Sequence, residues 1–215
     1  IDSDLSVQPG LAKSWDVSSD GLTYTFKLHS NVVFHDGSKI DANDVEASIL
    51  RVQNKDMASP LASRVSPITG IDVIDSSTIQ LTLNEPFAAI LSSLSGIAIV
   101  PSEYKNDTEA LQKTPIGTGP FKFDSWQPNS HIQLNKFDNY RTSGLPKLEG
   151  VKISFVPESA TRQVGLSNGE YDILPGVDPA TALQLQSNED IQIYQTRNLS
   201  YTLLGMNTTR EPLNN

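Results

Sequence analysis

Few residues in this chain have the types and spacing that chemistry needs. The three histidines are His29, His35 and His131, and none lies in a His-Glu-x-x-His or other close spacing that would aim two imidazoles at one metal. His29 ends an alternating run and His35 precedes an Asp-Gly turn, so both read as surface or turn residues. There is no cysteine, which removes thiol nucleophiles, thiolate metal sites and disulfides together. Gly117-Thr118-Gly119 opens like a dinucleotide fingerprint, but Pro120-Phe121-Lys122 follows, with no third glycine and no helix to point at a phosphate. It reads as a turn entering a strand. Asp16, Ser18 and Asp20 with Gly21 imitate the start of a calcium loop, yet the position that should supply a bidentate carboxylate is Lys27. Asp20-Gly21 is therefore expected to turn the chain. No Gly-x-Ser-x-Gly elbow occurs, and the carboxylates are scattered without an acid–base pair. The expectation is no catalytic residue, no metal site and no cofactor.

The elements that would position a site are legible from periodicity. In residues 23–28, Tyr24, Phe26 and Leu28 share one face and Thr23, Thr25 and Lys27 the other, which predicts a half-buried strand. Residues 32–34 lead into the Asp36-Gly37 turn and suggest a hairpin-like unit. Asp41 can cap a helix over 42–53, in which Val45, Ile49 and Val52 recur at spacings of four and three. Residues 71–74 and 78–83 predict an antiparallel pair joined at Asp75-Ser76-Ser77. Further strands are expected at 97–100, 121–126, 132–136, 151–156, 191–195 and 201–206, with helices at 87–94, 159–168 and 179–187.

The chain has 215 residues, 37% of them hydrophobic, enough to build a core. Sixteen basic against 25 acidic residues leave a formal charge of −9, so a phosphate backbone would be repelled and nucleic acid is not an expected partner. No stretch approaches the roughly 18 apolar residues of a membrane span, and the opening Ile1-Asp2-Ser3-Asp4 lacks the pattern of a signal peptide. An opening on Ile and an ending just after a strand-like run suggest a piece of something longer. The polar, turn-rich stretch 138–150 is the best internal break, with strands dominating before it and strands and helices alternating after it.

Six separated blocks then carry a resemblance. They are Pro9-Gly10-Leu11-Ala12-Lys13-Ser14-Trp15, Asp20 to Leu28, Phe34-His35-Asp36-Gly37 followed by Ala42-Asn43-Asp44-Val45, Pro115 to Phe121, Gly169-Glu170-Tyr171-Asp172, and Met206 to Pro212. In this order they resemble the extracytoplasmic solute-binding proteins of bacterial ABC importers for oligopeptides, dipeptides and nickel chelates, often called solute-binding protein family 5. The resemblance implies a mixed α/β fold, the first lobe of a type II-like periplasmic binding protein, with a mixed sheet core and an extra strand-rich subdomain. By this likeness residues 1–20 start the core subdomain, 21–147 form the extra subdomain, and 148–215 complete the core near the junction to a second lobe. It also implies a receptor with no chemistry of its own, located in the periplasm or on the outer face of the cytoplasmic membrane. Such a receptor captures short peptides between two lobes and delivers them to the permease subunits of an ABC transporter; the alternatives are the same fold binding a nickel chelate, oligosaccharide or other solute, or an enzyme or sensory module built on that fold. A monomeric parent and a lipid anchor outside this chain belong to the same expectation. Three positions are carried over as ligand-binding: Asn207, matching an asparagine that holds peptide backbone in oligopeptide binders; Met206 beside it; and Leu61, where some members place a ligand-contacting tyrosine. Leucine lacks that hydroxyl, so packing is the competing role for Leu61.

Overall fold

The computed structural model describes residues 6–195, 204–209 and 211–212. Its contacts divide the chain into two units, Ile1–Val156 and Pro157–Asn215.

The first unit is built on two antiparallel sheets. Strands β1 (Ala12–Val17), β2 (Thr23–Leu28), β3 (Ile68–Asp75) and β4 (Thr78–Leu83) form a four-stranded sheet in the order β1-β2-β4-β3. The alternation read in residues 23–28 is real: Tyr24, Phe26 and Leu28 are buried, and Phe26 pairs with Ile79 while Tyr24 pairs with Leu81. Helix α1 (Ala42–Gln53) supplies Ala42 and Ile49 to the same core, which Val65, Ile68, Leu83, Ile90 and Ile97 complete. Asp41 starts α1 as expected. Its carboxylate accepts from the Asn43 and Asp44 N–H groups, and the Asp44 carboxylate accepts in return from the Asp41 N–H at 2.9 Å, a reciprocal capping box.

Strand β1 is not apparent from periodicity, since none of its residues is buried and its pairing with β2 supplies the order. The Asp20-Gly21 turn joins the two strands: Asp20 Oδ1 accepts from the Leu22 N–H, and Gly21 has φ +71°, a left-handed conformation open to glycine.

One strand expected in this unit is absent. Residues 97–100 carry no strand because the Val100 N–H donates to Ser48 Oγ of α1 instead of a neighbouring strand. The hairpin-like unit expected from residues 32–34 is present in short form: Val33 bridges Lys39 antiparallel, the Phe34 N–H donates to the Ser38 carbonyl at 2.8 Å and the Ile40 N–H to that of Val32 at 3.3 Å. The helix expected at 87–94 is shorter, α3 (Ile90–Leu94), and α2 (Ala62–Val65) and α4 (Thr108–Lys113) are additional short helices.

The second sheet has the order β5-β6-β7, from β5 (Phe121–Gln127), β6 (His131–Lys136) and β7 (Gly150–Ser154). Strand pairing thus joins β6 to β7 across the turn-rich stretch, as it joins β1 to β2 across residues 20 and 21. A bulge at Asp124 shifts the register of β5, so Trp126 pairs with Ile132 and joins the face carrying Phe123 and Leu134. Ile132 pairs in turn with Ile153, giving a cross-strand apolar row in which Trp126 stays 55% exposed and Ile153 45%.

The second unit contains α5 (Ser159–Ser167) and α6 (Pro179–Leu185). Asp178 caps α6, its carboxylate accepting from the Ala180 and Thr181 N–H groups. Helix α5 ends in a complete Schellman cap: the Glu170 N–H donates to the Gly165 carbonyl at 2.8 Å, the Gly169 N–H to that of Leu166 at 3.1 Å, and Gly169 has φ +75°. The block Gly169-Glu170-Tyr171-Asp172 is thus a helix stop. Residues 191–195 carry no strand; of the strand expected at 201–206, residues 201–203 lie outside the described residues and 204–206 are irregular.

Three carboxylates in these turns are held below the usual range. Asp20 is lowered by the Ser18 hydroxyl and then the Leu22 N–H, Asp75 by the Ser77 N–H and then its hydroxyl, and Asp178 by the Thr181 N–H and then its hydroxyl. A carboxylate whose folded pKa is depressed contributes stability above its unfolded pKa of about 3.9, and loses it as pH falls through the folded value. Urea midpoints measured from about pH 5 downward are therefore expected to fall with acid, more steeply below about pH 4. Replacing all three by asparagine should flatten that decline; an unchanged slope would show that these caps are not its source.

Candidate functional site

The residues expected to touch ligand belong to both units. Leu61 is in the first, at the N-terminal boundary of α2, half-buried and packed against the main core. Its surroundings are those of a packing residue. Met206 and Asn207 are in the second unit, and both are exposed. Asn207 Oδ1 accepts from the Thr209 N–H at 3.0 Å and from the Thr209 hydroxyl at 2.7 Å, so the side chain closes a local turn and its carbonyl end is fixed.

The Phe34-His35-Asp36-Gly37 and Pro115-to-Phe121 blocks meet at one point. The Gly117 N–H donates to His35 Nδ1 at 3.3 Å, and His35 Nε2 lies 3.0 Å from the Gly119 carbonyl. With Nδ1 accepting, Nε2 must carry the proton and donate. The ring also stands edge-on to Phe137 at 5.0 Å, and the Phe137 N–H donates to the Pro120 carbonyl. His35 is thus a turn residue, as its sequence context suggested, with a further task. It ties the loop before α1 to the entry of β5. Pairing of these two blocks, 82 residues apart, had no signal in the sequence.

A second arrangement was detectable in principle. Asp44, Ser48 and Arg51 are spaced i, i+4 and i+7 along α1, beside the apolar stripe of Val45, Ile49 and Val52. Asp44 Oδ1 accepts from the Ser102 N–H at 2.8 Å, Ser48 Oγ from the Val100 N–H at 3.0 Å, and Arg51 donates to the Lys105 carbonyl at 2.9 Å and to Thr108. One polar helix face therefore holds the segment 100–108 in place of sheet pairing.

Among the described residues no three His, Asp or Glu side chains are grouped to hold a metal ion. An open groove of about 420 Å³ is lined by Glu109, Gln112, Lys113, Phe123, Ser125 and Trp126, none of them an expected ligand contact. Its charged wall is an exposed Lys113–Glu109 pair at 2.7 Å, already neutralised across one helical turn.

Comparison with known proteins places these blocks. The family model described as bacterial extracellular solute-binding proteins, family 5 middle, matches residues 6–215. A glutathione-binding protein, GsiB, of Pectobacterium atrosepticum is 31% identical over 218 residues, covering 100% of this chain and 42% of its own length. The chain therefore spans less than half the length of this relative. Among solved structures, the binding protein AgaA in complex with agropinic acid, from A. tumefacien R10, superimposes with a TM-score of 0.82 at 31% identity, over 87% of this chain and 39% of its own. NikZ from Campylobacter jejuni in complex with Ni(L-His) gives 0.80 at 28%, over 87% and 38%. DppA from Helicobacter pylori in complex with the peptide STSA gives 0.71 at 31%, over 85% and 40%. The fold is the mixed α/β, type II-like fold of periplasmic binding proteins expected from the sequence. On the match across 6–215, the chain belongs to the bacterial extracellular solute-binding proteins of family 5.

Proposed function

We propose that this chain is part of an extracytoplasmic receptor of an ABC importer, one that captures a short peptide or peptide-like solute between two lobes and passes it to the membrane permease without transforming it. The observation that carries this reading is the similarity over the whole chain to a glutathione-binding protein, together with the likeness to a structure holding a peptide. Extended peptides are held mainly through main-chain hydrogen bonds, which leaves side chains in roomy, hydrated pockets. Asn207 suits such a role. With its Oδ1 held by Thr209, its carboxamide N–H groups are oriented to donate to a ligand carbonyl. Met206 is its neighbour along the chain, while Leu61, packed against the core of the first unit, would contribute shape instead of a hydrogen bond. The division into residues 1–20, 21–147 and 148–215 belongs to this proposal, as do a monomeric parent and a lipid anchor outside the chain. Among the described residues no helix is long and apolar enough to cross a membrane.

A second reading, uptake of a metal chelate, is favoured by the NikZ likeness. Mass spectrometry of small molecules released by denaturing the longer protein separates the two. Short peptides are the expected release; a single chelate or sugar would overturn the peptide reading. In that longer protein Asn207→Ala is expected to weaken peptide binding about tenfold, the effect of losing a hydrogen bond worth roughly 1.4 kcal/mol. Unchanged affinity would remove Asn207 from the site.

A further inference from the structure

Asn168-Gly169 is the one Asn-Gly step in the chain. Asparagine before glycine is chemically labile because the following backbone nitrogen can attack the side-chain carbonyl carbon, and glycine has no Cβ to obstruct it. Asn168 is exposed, so water reaches it.

The fold opposes this reaction. Asn168 is the cap residue of α5, with φ −93° and ψ 1°. Forming the five-membered ring requires a large rotation about its Cα–C bond, to bring the Gly169 nitrogen over Cγ. That nitrogen is the donor to the Leu166 carbonyl, and the rotation would also break the bond from Glu170 to Gly165. The hold is local. Gly165 is the only buried residue of α5, and Val164 is 58% exposed, so little apolar burial keeps the last turn closed.

We propose that Asn168 is a site of spontaneous deamidation gated by the Schellman cap of α5. When the cap opens, the Gly169 nitrogen bonds to Asn168 Cγ and the Cγ–Nδ2 bond breaks. The proton lost from Gly169 leaves with the amide nitrogen as ammonia. Water then opens the succinimide at either carbonyl, giving aspartate or an isoaspartyl linkage. No oxidant or reductant takes part. The isoaspartyl product inserts an extra methylene into the backbone, so the Glu170 N–H no longer falls on the Gly165 carbonyl. Either product also places a negative charge at a helix C-terminus, where the dipole disfavours it. The opening is thereby made irreversible.

The test is peptide mapping by mass spectrometry of the chain incubated at mildly alkaline pH, with and without urea. The expected result is amide-to-acid conversion at Asn168, resolved into aspartyl and isoaspartyl peptides, at least about tenfold faster in urea than in the native chain. Gly165→Ala, whose Cβ would collide with the Tyr171 ring, should raise the native rate toward the urea rate. Glu170→Pro, which deletes the donor to Gly165, should do the same. Absence of conversion at Asn168 in urea would overturn the site, and equal native and urea rates would overturn the gate. Persistence of the product peptides in Asn168→Ser would assign the chemistry elsewhere and overturn it as well.

Discussion

Titrated with a tripeptide or tetrapeptide, the isolated 215-residue chain is expected to bind only in the millimolar range, while the longer protein binds in the micromolar range or tighter. The reasoning is arithmetic. A micromolar ligand gains about −8 kcal/mol, and if two lobes contribute about equally, one retains about −4, which is millimolar. The loss of translational and rotational freedom on association is nearly the same whether one lobe or two engage, so a lone lobe starts at a disadvantage. Asn207 is exposed, on a turn closed by its own side chain. Isothermal titration calorimetry decides the point. Submicromolar binding by the chain alone would show that the determinants lie within it and would defeat the two-lobe reading.

The second large effect is expected at Phe34, whose side chain is wholly buried. Phe34→Ala should lower the stability of the first unit by about 4 kcal/mol, the transfer loss plus the unfilled cavity. For a unit of this size that corresponds to a fall in melting temperature of roughly 12 °C. The neighbouring His35→Ala should cost about 2 kcal/mol, because it leaves the Gly117 N–H and the Gly119 carbonyl without their partner and removes the edge contact to Phe137. The ordering is the informative part. If thermal melts showed His35→Ala to be the more damaging, the tie between the two turns would outweigh the buried ring.

Local chemistry explains most of what could be read in advance. The alternation of Tyr24, Phe26 and Leu28, the Asp41 cap, the hairpin through Asp75 and the family blocks each depend on residues within a few positions of one another. The same holds for the turn at Asp20-Gly21 and for the helix stop at Gly169, where a left-handed φ calls for glycine. Family membership was legible too, because the order of the six blocks survives in a linear reading.

The misses are long-range. Residues 97–100 have the apolar run of a strand, but Ser48 of α1 takes the Val100 N–H; the spacing of Asp44, Ser48 and Arg51 marks a polar helix face without naming its distant partner. The His35 N–H reaches the Gly117 carbonyl, a partner outside any local window. Strand β1 was not among the expected strands because its order comes from pairing with β2, and the bulge at Asp124 turned Trp126 onto an apolar face by moving one residue out of register. The positions carried over for ligand show the same division. Asn207 and Leu61 can be named from the chain, yet the turn around one and the core beneath the other arise only on folding. The amino-acid sequence by itself determined the local elements, their caps and the family, because those depend on neighbours along the chain. Which backbone donor found which distant acceptor, as at His35 and Ser48, was decided by the tertiary structure, because a hydrogen bond depends on distance in space and the sequence records only distance along the chain.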